Sequence, residues 1–134
     1  DELQDPIDSF FNRLKPEKSF WRTGWGVLET DDLYQPVDGT AATSPGYPNV
    51  GDPTAGDQLF LRVERETIRR FPRTKCVLFT IRTYVRPLSH LVDRPNDAHR
   101  LADALANLPD DVRDYKRTTE LTEAAVHWLQ SVTS

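Results

Sequence analysis

The chain reads as an α+β protein with a small antiparallel sheet and flanking helices, and three observations lead there. Two runs between residues 57 and 87 alternate apolar and polar positions with a period of two. The stretches 3–15 and 96–132 instead repeat their apolar residues at helical spacing. Finally, 134 residues with 37% hydrophobic content and ten prolines give room for one modest core and much loop, hence a single domain over residues 1–134.

Taken in order, Leu3, Ile7, Phe10, Phe11 and Leu14 form one stripe of a short amphipathic helix that Pro16 ends. Residues 19–30 are aromatic and β-forming, with Trp21, Trp25 and Val27 on one parity, and predict a strand. Residues 36–57 carry four prolines and four glycines and predict a long loop. Leu59, Leu61 and Val63 then alternate with Phe60, Arg62 and Glu64, a second strand. Residues 66–72 read as about one helical turn stopped by Pro72. In the third strand Val77, Phe79 and Ile81 look like core, and Cys76, Leu78, Thr80, Arg82 and Tyr84 take the other face. Trp21, Trp25 and Tyr84 read most simply as core aromatics. Asn96 is the expected cap of a helix through Leu108. Pro109-Asp110-Asp111 begins a further helical segment, and residues 118–132 continue it, burying Leu121, Ala125, Trp128 and Val132.

The bulk numbers exclude several functions. A net charge of −4 argues against general nucleic-acid binding. One cysteine, Cys76, excludes an internal disulfide or a multi-cysteine metal site within the chain, and no base near it in sequence would activate it as a nucleophile. No apolar run approaches the length of a membrane span, and the polar opening is unlike a signal peptide, so a cytoplasmic location is expected.

The chemistry is concentrated in residues 57–87. If the two strands pair, Arg62, Glu64 and Arg82 share a sheet face with Thr80 and Tyr84. Charges held on rigid strands are costly to bury without partners, so the cluster is either a solvated face or a site. The run Arg62, Arg65, Arg69, Arg70, Arg73 and Lys75 is either a solvated face or a docking patch for an acidic redox partner or subunit. His90, His99 and His127 read as structural or surface histidines, so no metal ligand is assigned.

The segment 61–88, LRVERETIRRFPRTKCVLFTIRTYVRPL, resembles the core signature of the haem-dependent oxidative N-demethylase alpha-subunit family. Asp5-Pro6-Ile7-Asp8-Ser9-Phe10-Phe11 and Leu14-Lys15-Pro16 resemble that family's helix before its Arg-x-Asn-Trp segment. Trp21-Arg22-Thr23-Gly24-Trp25 resembles that segment itself, with Gly24 where the family usually has Asn. Leu108-Pro109-Asp110 and Tyr115-Lys116 resemble its carboxy-terminal helix. The resemblance implies an incomplete PAS-like domain, the carboxy-terminal part of a haem-binding fold. The family's upstream cysteine-containing and histidine-containing motifs are not in this sequence, so the expected partner is the upstream part of the same protein or a companion subunit. It further implies haem b ligated by a histidine outside this chain, and reducing equivalents from a flavin/Fe–S reductase partner. The substrate it implies is a small N-methylated amine, oxidised with O2 to release formaldehyde. On this reading Arg82 pairs with a haem propionate, Arg62, Trp25 and Tyr84 contact the cofactor, and Glu64 is catalytic, orienting Arg82 or meeting the cationic amine. The alternative is a non-catalytic PAS-like module that binds haem or another small ligand.

Overall fold

In a computed structural model of the chain, residues 4–34, 46–109, 112 and 119–133 are described. The elements are α1 (Gln4–Arg13), β1 (Ser19–Leu28), α2 (Ala55–Gln58), β2 (Phe60–Arg70), β3 (Val77–Pro87), a 3₁₀ turn (Leu88–Leu91), α3 (Pro95–Ala106) and α4 (Thr119–Ser131). Among the described residues the strands make one three-stranded antiparallel open sheet in the order β1-β2-β3. The architecture is therefore α+β, as the periodicities predict. The helical segment expected from Pro109-Asp110-Asp111 and the part of the long loop from 36 to 45 lie outside the described residues.

Between β2 and β3 the structure corrects the expected helical turn. β2 runs unbroken to Arg70, and the reversal is confined to residues 71–76. Thr67 and Ile68 are β-branched and stiff, so they favour the strand once β3 offers its backbone as a partner. Pro72 sits in the loop, where its missing N–H costs no ladder bond. Lys75 closes the reversal with φ of 62°, donating its N–H to the Phe71 carbonyl at 3.0 Å.

The register follows from two backbone bonds. The Phe71 N–H donates to Cys76 and the Leu88 N–H to Leu59, each at 2.9 Å, marking the two ends of one ladder. With β2 and β3 of equal length, 11 residues, the pairs between those ends are set. Ile68 lies opposite Phe79, Glu66 opposite Ile81, Glu64 opposite Thr83, and Arg65 opposite Arg82.

The chain divides into two compact units, residues 1–24 with 63–83 and residues 25–62 with 84–134, and each strand contributes to both. The second unit holds the core. There α3 and α4 pack through Ala98, Ala102, Leu105, Leu121, Ala125 and Leu129, joined by Val27, Leu59, Leu88 and Trp128. The alanines let the helix backbones approach closely, while Leu59, Leu88, Leu121 and Leu129 lose almost all contact with water. Each such leucine contributes about 1.5–3 kcal/mol of burial. Trp128 also donates its indole N–H to the Pro53 carbonyl at 3.1 Å, tying the turn before α2 to α4. Helix α3 is capped two positions earlier than Asn96 predicts: Arg94 is the cap and Pro95 the first residue, whose fixed φ suits that place.

The first unit is differently built. Leu14 is its one buried hydrophobic among the described residues, and no residue of α1 is buried. The expected core face of β3 is corrected here: Phe79 is 49% and Ile81 53% exposed, with Val77 half-buried. The helices that bury leucines belong to the other unit, so these strand residues gain no comparable cover. The aromatics expected in the core are corrected likewise, Trp21 at 64%, Trp25 at 39% and Tyr84 at 43% exposure.

Candidate functional site

The first unit contains a groove of about 580 Å³ between α1 and the sheet, within the range of roughly 300–1,000 Å³ usual for ligand sites. Ile7, Phe10 and Phe11 line it from α1, and Phe20, Ile68 and Phe79 from the strands. Their assembly follows from spacing. Ile7, Phe10 and Phe11 recur on one helical side. Ile68 and Phe79 are opposite one another across β2 and β3, and share a face with Glu66 two residues away. The Phe10 ring packs edge-on against Phe11 at 5.7 Å and against Phe20 at 6.1 Å.

Two features hold this groove open and give it charge. Arg70 caps α1, donating from Nη2 to the Phe11 carbonyl at 2.6 Å and from Nη1 to the Lys75 carbonyl at 3.0 Å. Its Nε is buried and unbonded, so the guanidinium is committed to those two carbonyls. At the groove, Arg22 Nε donates to Glu66 Oε2. The Glu66 side chain is 13% exposed and that of Arg22 79% exposed, so a sheltered carboxylate holds a guanidinium that still faces water. The hydrogen bond to Glu66, then its charge, push the Arg22 pKa above its ordinary value. The arrangement is an apolar slot with a fixed cation, suited to a flat apolar ligand carrying a carboxylate.

The residues expected from sequence are not brought together as predicted. Glu64 and Arg82 belong to the first unit, and Arg62, Trp25 and Tyr84 to the second. Glu64 lies opposite Thr83 while Arg82 lies opposite Arg65, so Glu64 and Arg82 leave the sheet on opposite faces. The register thus corrects the expected common face, and with it the idea that Glu64 orients Arg82. In the second unit Arg62 lies opposite Val85, and Tyr84 takes the other face with Arg86. Arg62 donates to the carbonyls of Asp32 (3.3 Å) and Leu33 (3.2 Å), anchoring the segment after β1. Glu64, Arg82 and Tyr84 are each engaged with neighbours. The sequence reading missed Arg22, Glu66 and the phenylalanine walls because it placed residues 66–72 in a helical turn. With β2 carried through to Arg70, the parity of Glu64, Glu66, Ile68 and Arg70 is the signal that finds them.

A family model of haem-dependent oxidative N-demethylase, alpha subunit-like proteins matches residues 1–126. The chain belongs to that family. Its description makes haem the expected cofactor, and an alpha-subunit-like protein is consistent with a companion subunit. Tested against the structure, the groove fits part of a porphyrin: aromatic walls suit the ring, and Arg22 suits a propionate. No histidine is among the residues lining the groove, and His90, His99 and His127 belong to the second unit. All three are exposed, and His99 sits 3.4 Å from Asp103 on α3. Among the described residues no group of three metal-ligating side chains converges, and no helix is long and apolar enough to cross a membrane.

Proposed function

We propose that this chain is part of a haem-dependent monooxygenase that demethylates a small N-methylated amine, and that the groove of the first unit cradles one edge of haem b. The observation carrying the proposal is the aromatic slot with Arg22 fixed at it by Glu66. Haem, when bound, supplies O2 activation: two electrons from a flavin/Fe–S reductase partner and two protons accompany insertion of one oxygen into an N-methyl group, giving demethylated amine, formaldehyde and water. The chain's own residues bind, orient and exclude water. Arg22 pairs with a propionate, Glu66 keeps its guanidinium aimed, and Phe10, Phe20 and Phe79 dry the ring edge. Glu64, on the face of Glu66, meets the cationic amine. The axial histidine comes from outside this chain. Trp25 and Tyr84 leave the sheet on the face away from Arg22 and Glu66 and are assigned no contact with this haem, and Arg62 is assigned to anchoring residues 32–33.

Haem retention in the full-length protein tests this. Arg22→Leu is expected to weaken retention about tenfold, the loss of one charge-assisted pair, with Glu66→Gln smaller in effect and Arg82→Leu near the parent. Loss of haem in Arg82→Leu with full retention in Arg22→Leu would move the propionate to the other sheet face. Formaldehyde release coupled to NADPH consumption establishes the demethylase. A Soret band with no turnover establishes the binding module instead.

A further inference from the structure

We infer that the outer edge of β3, from Val77 to Thr83, receives an extended segment of a companion subunit as a further strand. That segment carries carboxylates at the end that meets the hairpin loop. Among the described residues β3 is an outermost strand of the sheet. The two bonds that set the register, from the Phe71 N–H to Cys76 and from the Leu88 N–H to Leu59, place Leu78, Thr80 and Arg82 in the hydrogen-bonded pairs with β2. Val77, Phe79, Ile81 and Thr83 therefore aim their N–H and C=O groups away from β2, and no backbone partner meets them among the described residues. Edges are usually blunted by proline, a bulge or an inward charge. These four positions carry none of them. Protection starts after Thr83, where Arg86 Nη1 donates to the Val85 carbonyl at 2.9 Å and Pro87 has no N–H. The open stretch spans about 20 Å, the length of an ordinary strand.

The side chains along this edge define the occupant. Phe79 and Ile81 are 49% and 53% exposed and stand on the groove side, where an apolar residue opposite each covers them. Arg73 and Lys75, in the loop at one end of the stretch, are exposed and pair with no carboxylate among the described residues. An added strand that is apolar along one face and ends in carboxylates satisfies both features. A second copy of this chain does not. Residues 67–88 hold no aspartate or glutamate, so two such edges laid together supply no anion to either loop. A companion subunit is the source consistent with an alpha-subunit-like chain, and pairing with a sheet edge is a recurring way for one protein to take up an extended segment of another.

The experiment titrates into the full chain a fluorescent peptide of about ten residues, alternating valine and threonine and ending in glutamates. Saturable binding is expected, and its absence would overturn the inference. Two further peptides carry N-methyl groups on alternate backbone nitrogens, one on each set. Strand addition uses the donors of a single set, so methylation of that set is expected to abolish binding and methylation of the other to stay within about twofold. Ile81→Pro removes an outward N–H and leaves the bonds to β2 in place. With its fold checked by circular dichroism, this variant is expected to bind about tenfold more weakly. Arg73→Gln combined with Lys75→Gln is expected to weaken binding about threefold at low salt. Equal binding of both methylated peptides would show apolar adhesion without strand pairing and sink the proposal. So would sedimentation of the chain alone as a dimer that Ile81→Pro returns to monomer, because a second copy would then occupy the edge. Haem is absent from every titration, so these outcomes stand apart from the test of the cofactor groove.

Discussion

At the scale of single residues, Gly56 and Arg22 show how little freedom some positions have. Gly56 is buried in α2, and a Cβ there would overlap the Trp128 indole. Trp128 cannot swing away without losing its bond to Pro53. Gly56→Ala is therefore expected to destabilise the protein by about 1–3 kcal/mol, the usual cost of overpacking, measured by urea unfolding. Arg22 is the opposite case, exposed yet held in place, because a sheltered Glu66 fixes its direction. That combination separates a binding cation from an ordinary surface one. Exposure alone would give Arg22 and Arg73 the same weight.

At the scale of elements, α1 is the part most dependent on a single side chain. None of its residues is buried, and Arg70 ties its last turn to the hairpin. Hydrogen bonds from a charged donor contribute about 1.5–3 kcal/mol, so Arg70→Met is expected to release most of the helix's attachment. Hydrogen exchange should then show α1 amides losing protection while those of α3 and α4 keep theirs. Unchanged exchange in α1 would mean the phenylalanine contacts hold it alone. The β2–β3 hairpin needs no such support. Its ladder closes at both ends, and the one strained position, Lys75, falls in the loop.

At the scale of the whole molecule, stability and chemistry are divided between the units. The second unit owns nearly all the buried hydrophobic residues described, while the first leaves Ile7, Phe10, Phe20, Phe79 and Ile81 between 38% and 53% exposed. Local opening free energies follow buried apolar contacts, so amides of α3 and α4 are expected to outlast those of β2 residues 64–70 in native-state exchange. Addition of haem to the full-length protein is expected to protect the β2 residues selectively, because a ligand stabilises the region that binds it. Protection confined to α3 and α4 would place the cofactor elsewhere.

Much of this was legible in the sequence. The alternation of Leu59, Leu61 and Val63 with Arg62 and Glu64, and the helical stripe of Ala98, Ala102 and Leu105, announced their elements because burial on one side imposes a period directly on the chain. The family resemblance was legible for the same residues. Three things were not. Where β2 ends was decided by β3: residues 66–70 take strand geometry because a partner satisfies their backbone groups, and no local propensity records that partner. Which charges share a face was decided by register, a relation between two strands that parity within each one leaves open by a single residue. That one residue separates Arg82 from Glu64. Which apolar residues are buried was decided by what lies over them, and so Leu59 is sealed while Phe79, equally hydrophobic and equally in strand phase, is left at the groove.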